Sequence, residues 1–178
     1  EIIFGSEDGT VRCLSTDLSE LIWSFSWRET SPVDQSPLPE SRKIFHNGPT
    51  PGVSDGVAVL YQAGADGLIR RVRASDGVVL STYDTFPGSS DVAPLVLDFN
   101  GDGNSDVLVV VGNDLLFFTH DLTLLWTMDS TTGGSEYAVS AVAVADLNND
   151  GLDEIVFTGG REDDELGKVE VLFVCSQS

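Results

Sequence analysis

The chain has 178 residues, of which 29 are acidic and 9 are basic, giving a formal net charge of −20. Duplex binding requires clustered Lys and Arg, and the only cluster is Arg70, Arg71 and Arg73, so we expect no nucleic-acid partner. No apolar run approaches the roughly 18 residues of a membrane span, and short apolar runs separated by 18 Gly and 7 Pro are typical of an all-β protein.

The predicted strands come in repeated groups. Each group reads strand, tight hairpin, strand, polar turn, strand, and the copies occupy residues 2–25, 61–82 and 111–126. Two acidic loops set the period of the repeat, because the first begins at Asp98 and the second at Asp146, a spacing of 146 − 98 = 48 residues. Four-stranded units of about 40–50 residues indicate the blades of a β-propeller.

Both acidic loops place oxygen-bearing side chains at alternate positions. Counting the first Asp as position 1, acids or amides occupy positions 1, 3 and 5, Gly occupies position 6 and an acid occupies position 9. Position 7 offers its backbone carbonyl, and no His or Cys accompanies the oxygens, which favours calcium over zinc, copper or iron. The predicted ligands of two calcium sites are Asp98, Asn100, Asp102, Asn104 and Asp106 in the first loop, and Asp146, Asn148, Asp150, Leu152 and Glu154 in the second. Asp153 either supports the second site from outside or replaces Glu154 as a ligand.

Alignment of the repeats predicts an incomplete propeller arc of about three and a half four-stranded blades. Glu1 aligns with Glu154, at the last position of a loop whose start is missing. Residues 169–174 align with the third strand of a unit whose last strand is absent. Because an open arc exposes sheet edges, we expect missing sequence or another chain to complete the ring.

The same alignment predicts the divisions of the chain. They are a partial blade (1–27), an irregular insertion (28–53), a blade without a metal loop (54–87), a blade with a calcium loop (88–130) and a truncated blade with a calcium loop (131–178). The insertion is rich in Pro, Ser and Glu, and we interpret it as a tolerated surface loop. A partner-binding or regulated loop is the alternative interpretation.

The loop sequences carry a family resemblance. Asp-Phe-Asn-Gly-Asp-Gly-Asn-Ser-Asp from residue 98 and Asp-Leu-Asn-Asn-Asp-Gly-Leu-Asp-Glu from residue 146 resemble the FG-GAP repeats of integrin α-subunit propellers and their bacterial relatives. The Asp-Gly turns followed by Leu-Ile-Trp or Leu-Leu-Trp are also similar to quinoprotein-type blades. The resemblance covers most of the chain outside residues 28–53. It implies a calcium-stabilised propeller that is extracellular or at the cell surface, or periplasmic in a bacterium. Residues 50–57 depart from the family pattern because they lack the Asp and Asn residues at alternate positions, so we expect no metal there.

The leading hypothesis for function is a non-enzymatic module for adhesion, protein–protein interaction or structural assembly. Its expected partner is a protein or the remaining blades of the same protein, and a glycan is an additional candidate. No catalytic residues are predicted, since His46 and His120 are isolated in the sequence.

The alternative is part of a propeller enzyme, a quinoprotein dehydrogenase or a calcium-dependent polysaccharide lyase, in which the arginine cluster would bind an anionic substrate. We favour the interpretation that these arginines lie on the blade surface among carboxylates.

Tryptophan and cysteine positions add two expectations about packing. Trp23 and Trp126 occupy matching places in the final strands of their units, which predicts packing between blades. Cys13 and Cys175 lie in strand-like runs and are interpreted as buried small hydrophobic residues. A disulfide between them is the open alternative.

Overall fold

The computed structural model describes residues 1–26, 29–43, 45, 47–90, 92–128, 139–149, 154–163 and 167–175, and within these ranges it describes the side chains except at 139–141, 158–163 and 167–175. The described residues form fourteen strands and one short 3-10 turn, Glu40–Arg42, with no α-helix. Among them no helix is long and apolar enough to cross a bilayer. The strands are β1 (Ile2–Gly5), β2 (Thr10–Leu14), β3 (Leu21–Ser26), β4 (Thr50–Ser54), β5 (Val57–Ala63), β6 (Leu68–Arg73), β7 (Val79–Asp84), β8 (Leu95–Leu97), β9 (Asp106–Val111), β10 (Asp114–Phe118), β11 (Leu124–Met128), β12 (Val139–Ala145), β13 (Glu154–Asp163) and β14 (Gly167–Cys175).

The strands form four antiparallel sheets in which each strand pairs with its neighbour in the sequence. Blade 1 contains β1–β3, blade 2 contains β4–β7, blade 3 contains β8–β11 and blade 4 contains β12–β14. Short connections allow this order. In blade 2, for example, β4 and β5 are joined by Asp55 and Gly56, whose φ angles of 52° and 73° suit a two-residue hairpin turn.

Consecutive blades pack face to face through alternating side chains. In β9, Val107, Val109 and Val111 face blade 2, whereas Leu108 and Val110 face blade 4. Both faces of this strand are therefore apolar, which explains its uninterrupted run of buried residues. Three cores result: Val11, Cys13, Trp23, Leu60 and Val72 between blades 1 and 2; Val59, Tyr61, Ile69, Val109 and Phe118 between blades 2 and 3; and Leu108, Leu115, Phe117, Ile155 and Phe157 between blades 3 and 4.

This blade-on-blade packing is that of an incomplete β-propeller, as predicted. The three cores join blades 1 to 2, 2 to 3 and 3 to 4, and no core among the described residues joins blade 1 to blade 4. Fourteen strands correspond to three and a half four-stranded blades. The prediction of an all-β arc is confirmed.

The segment predicted as an irregular surface insertion, residues 28–53, contributes to the fold at two places. Phe45 is buried in the core between blades 1 and 2, where its ring lies edge-on to Phe25 with 6.2 Å between ring centroids. The last four residues of the segment belong to β4, so blade 2 begins at Thr50. Sequence reasoning missed this strand because Pro51 and Gly52 are poor strand residues, and both are tolerated because β4 is the edge strand of its sheet.

Gly52 also permits a close approach between blades. A Cβ at this position would lie 2.8 Å from Tyr61 Cε2 and 2.9 Å from Val96 Cγ1, closer than side-chain atoms pack. Any larger residue here would push β4 away from blade 3.

Trp23 and Trp126 pack at blade interfaces, as their matching positions predict. Trp23 is buried between blades 1 and 2, and its indole Nε1 donates a hydrogen bond to the carbonyl of Ala74 (3.0 Å). Its ring also lies against Gly77, where a Cβ would be only 2.7 Å away. Trp126 is partly buried against the core between blades 3 and 4.

Cys13 is a buried free thiol, and burial raises its pKa. It therefore behaves as a small hydrophobic residue, as expected. The side chain of Cys175 lies outside the described residues.

Replacement of Trp23 by Ala should lower the free energy of unfolding by about 3–5 kcal/mol, because it removes a large side chain from the core between blades 1 and 2. Urea unfolding of the two proteins measures the difference. Leu21→Ala on the same strand is the control: Leu21 is 54% exposed, so its truncation should change stability by less than about 0.5 kcal/mol. Equal losses in the two variants would contradict the packing role of Trp23.

Candidate metal-binding loops

The two acidic loops occupy the same place in their blades. Each loop connects the first strand of its sheet to the second. At the ends of the loops, Leu97 of β8 pairs with Asp106 of β9, and Ala145 of β12 pairs with Glu154 of β13. In both loops the position-9 acid thus lies opposite the residue that precedes position 1. This pairing brings the two ends of the loop together.

The same hydrogen bond closes both loops. The position-2 amide donates to the position-9 carboxylate, from Phe99 to Asp106 Oδ2 (3.2 Å) and from Leu147 to Glu154 Oε2 (2.9 Å). Asp106 and Glu154 are each only 3% exposed. Two loops 48 residues apart therefore place a buried carboxylate at the same point of the blade.

The first loop turns its other predicted ligands toward its own backbone. Asp98 accepts hydrogen bonds from the amides of Asp102 (3.0 Å) and Gly103 (2.9 Å). Asn100 Oδ1 also accepts from the Asp102 amide (2.9 Å). Four of the five predicted ligands, Asp98, Asn100, Asp102 and Asp106, are linked in this way around the loop.

Asn104 behaves differently from the other four residues. Its side-chain oxygen accepts a hydrogen bond from the amide of Asp55 in blade 2 (2.7 Å). The side chain is therefore directed to the neighbouring blade, which is compatible with a position-7 residue that offers only its backbone carbonyl.

The second loop is described in part. Asp146 follows β12, and Asn148 Nδ2 donates to Glu154 Oε1 (3.3 Å). Asp150 and Leu152, also predicted ligands, and Asp153 lie outside the described residues.

Burial and like charge act together on Asp106. Burial raises the pKa of its carboxyl group, and the nearby carboxylates of Asp102 and Asp98 raise it further, while the Phe99 amide opposes these effects. In contrast, the Asn104 amide holds the pKa of Asp102 below its usual value. The loop thus places three carboxylates along nine residues, and a cation there would offset the burial of Asp106 and the repulsion that it feels from Asp98 and Asp102.

The donor chemistry fits calcium. In the part of the chain that the structure describes, no three His, Cys, Asp or Glu side chains cluster closely enough to hold a metal by themselves. The first loop instead mixes three carboxylates with amide and backbone oxygens, and such mixed all-oxygen sets are the kind that calcium binds.

The arginine cluster is not the surface patch that we expected. Arg70 is buried and forms a two-point ion pair with buried Asp66, and its guanidinium lies 5.4 Å from the centre of the Phe45 ring. The expectation of a surface position was wrong for Arg70, because Asp66 in the β5–β6 hairpin provides a buried partner. Arg73 is partly exposed and pairs with Asp76 (2.7 Å). Arg70 is consequently occupied and buried, so it is not open to an anionic substrate.

His120 lies in a polar contact between blades 2 and 3 that sequence reasoning missed. Its Nδ1 is hydrogen-bonded to Ser54 Oγ (2.8 Å), and Arg71 Nη1 donates to the same hydroxyl (2.7 Å). Tyr61 Oη donates to the His120 carbonyl (2.7 Å), and burial raises the pKa of Tyr61 to about 12. Ser54 and His120 are 66 positions apart, so no local pattern reveals the pair. His46 lies outside the described residues.

The Ser54–His120 pair is structural rather than reactive. Ser54 is buried, and its hydroxyl is already hydrogen-bonded to both His120 and Arg71, so a substrate has no access to it. Nucleophilic catalysis requires a serine that can reach the bond it attacks.

Part of the chain is similar to a known repeat family. Residues 98–157, about a third of the chain, match the family described as FG-GAP-like repeat. The match begins at the first residue of the first acidic loop and ends after Glu154, so it contains both loops. No curated protein matches the chain.

Among solved structures, the crystal structure of BamB from Moraxella catarrhalis is similar to this chain, with 14% sequence identity and a TM-score of 0.49. The similarity covers 97% of this chain and 44% of that chain. The chain thus spans less than half the length of that structure.

Replacement of Asp66 by Asn should lower the free energy of unfolding by about 3–5 kcal/mol, because it leaves the buried guanidinium of Arg70 without its charge partner. The repeat supplies a matched control in Asp8→Asn, since Asp8 and Arg12 form the same ion pair at the equivalent hairpin of blade 1. That pair is far more exposed, so its loss should have a much smaller effect. Thermal and urea unfolding measure both variants, and similar losses would contradict the importance of burial.

Proposed function

We propose that this chain is part of a non-enzymatic β-propeller interaction module that binds two calcium ions. One ion would link two strands of blade 3, and the other would link two strands of blade 4. The observation that carries the proposal is the repeated closure of the two loops by a buried position-9 acid. The FG-GAP-like match over residues 98–157 supports it, because that match spans both loops.

Calcium would act inside each blade. In the first loop, Asp98, Asn100, Asp102 and Asp106 would supply side-chain oxygens and Asn104 its backbone carbonyl. The ion would neutralise carboxylates that burial and mutual repulsion otherwise destabilise, and would tie β8 to β9 at the end of the sheet. In the second loop, Asp146, Asn148, Asp150, Leu152 and Glu154 would do the same for β12 and β13.

The proposed location follows from the kind of site. Extracellular calcium modules bind the ion with dissociation constants of about 10⁻⁴–10⁻³ M, and we propose binding of this strength for the two loops, each of which has three carboxylate ligands. We therefore place the module outside the cytoplasm, at the cell surface or in the periplasm of a bacterium. Adhesion or assembly through a protein partner or through further blades is the proposed role, with a glycan as the secondary candidate.

The enzymatic alternative has no specific support in the described residues. Arg70 is held by Asp66, and the Ser54 hydroxyl is buried with His120 and Arg71. Quinone absorbance in the purified protein, or cleavage of uronate polymers, would be the observation that favours an enzyme.

Saturating calcium should stabilise the protein relative to chelator. At about 100 times the dissociation constant, each site adds roughly 2.7 kcal/mol, which corresponds to a rise in melting temperature of roughly 5–10 °C for a chain of this size. Differential scanning calorimetry measures the shift.

Asp98→Ala should lose about half of this calcium-dependent stabilisation, because one of two sites is removed. Asp17→Ala is the matched control: Asp17 is an exposed aspartate that accepts hydrogen bonds from Ser15 and Ser19 in a turn of blade 1, far from either loop in sequence. It should keep the full calcium shift. Identical melting with calcium and chelator in the wild type would overturn the proposal.

A further inference from the structure

Loop 98–106 contacts the preceding blade as well as its own. The Ser105 amide donates to the carbonyl of Val53 (2.8 Å), and the Val53 amide donates back to Ser105 Oγ (2.8 Å). The Asp55 amide donates to Asn104 Oδ1 (2.7 Å). These three hydrogen bonds join the acidic loop to the β4–β5 hairpin of blade 2, and we refer to Val53, Asp55, Asn104 and Ser105 as the latch.

Asn104 has two oxygens with separate roles: its side-chain oxygen accepts the Asp55 amide, and its backbone carbonyl is the candidate ligand. The corresponding residue of the second loop, Leu152, has no side-chain oxygen, so the ligand that both loops share at position 7 is the backbone carbonyl. The side chain of Asn104 is therefore available for Asp55. The Asn104 amide also donates to Asp102 Oδ1 (2.7 Å), which places this residue between a candidate ligand and blade 2.

Ser105 connects the other half of the latch to the site. It directly precedes Asp106, the buried position-9 acid. It also lies against β4 without spare room, since a Cβ at Gly52 would come within 3.0 Å of Ser105 Cβ. Both latch residues of the loop are thus flanked by candidate ligands, Asp102 on one side and Asp106 on the other. A rearrangement of the loop cannot leave the hairpin contact unchanged.

We propose that cation binding in loop 98–106 strengthens the contact between blades 2 and 3 through the latch. This inference rests on the calcium binding proposed above. Without a cation, the carboxylates of Asp98, Asp102 and Asp106 repel one another and favour a looser loop. With a cation, the loop is held in the conformation that accepts the Asp55 amide.

The coupling is reciprocal and specific to one loop. By thermodynamic linkage, a closed latch raises the cation affinity of the loop by the same factor by which the cation favours the latch. The second loop carries Leu152 in place of Asn104, and a leucine side chain cannot accept a hydrogen bond. The first loop therefore joins two blades through its position-7 side chain, and the sequence of the second loop supplies no side-chain oxygen at that position.

Hydrogen exchange of individual amides tests this inference directly. Exchange at Val53 and Asp55 is measured by NMR on the whole chain with calcium and with chelator, and calcium binding is measured in parallel by titration calorimetry. The variants are Asn104→Ala and, as a matched control, Asn113→Ala, which removes an exposed asparagine from the β9–β10 turn of the same blade.

In the wild type and in Asn113→Ala, calcium should slow exchange of the Asp55 amide by about fivefold or more. In Asn104→Ala that slowing should disappear, while calcium still binds with an affinity about fivefold or more weaker.

Three results would contradict these proposals in different ways. Absence of calcium binding to the wild type would overturn the proposed function. Calcium binding with unchanged Asp55 exchange would overturn the latch and leave the proposed function standing. Complete loss of calcium binding at loop 98–106 in Asn104→Ala would make the Asn104 side chain a ligand, and would overturn the latch as well.

Discussion

Blades 2 and 3 must bury both of their faces, and this requirement organises the described structure. In blade 3, neighbouring residues of β9 enter different cores, so every position of the strand after Asp106 carries an apolar side chain. The polar residue of β9, Asp106, lies at the start of the strand. The acidic loops, the His120 contact and the latch also lie at strand ends, where backbone amides are available as partners.

Polar contacts between blades 2 and 3 complement their apolar core. Tyr61 contributes its ring to the core and its hydroxyl to the His120 carbonyl. Thr50 Oγ1 donates to the carbonyl of Pro94 (2.7 Å), and Ser81 Oγ donates to the carbonyl of Asp121 (3.0 Å). These bonds are directional, whereas burial of apolar area is not. Together they define how one blade sits on the next.

Local patterns in the sequence predicted most of the strands and the place of both acidic loops. The Asp-Gly hairpins and the apolar runs are each visible within a few residues, and the 48-residue period follows from comparing two such short patterns, so the repeat and the all-β arc can be predicted from them. Strand β4 was missed because Pro51 and Gly52 disfavour a strand locally and only its edge position makes them acceptable.

Long-range partners were beyond the reach of these patterns. Arg70 is buried because the hairpin that carries Asp66 is itself covered, and nothing in the alternation of β6 signals this. The pairing of Ser54 with His120, and of Asp55 with Asn104, depends on how two blades meet. Such contacts are properties of the assembled arc, and a single sequence does not encode them in any short segment.

The run of buried residues in β9 has a consequence for strand alignment. Because both faces of β9 are apolar, a slip of one residue would exchange Val107, Val109 and Val111 for Leu108 and Val110 at little hydrophobic cost. Asp106 removes this degeneracy, since the slipped strand would carry its carboxylate away from the Phe99 amide and into an apolar environment. The acid at the end of the loop thus fixes the register of the sheet. It specifies which of two nearly equivalent strand alignments the blade adopts, and it does so without a bound ion.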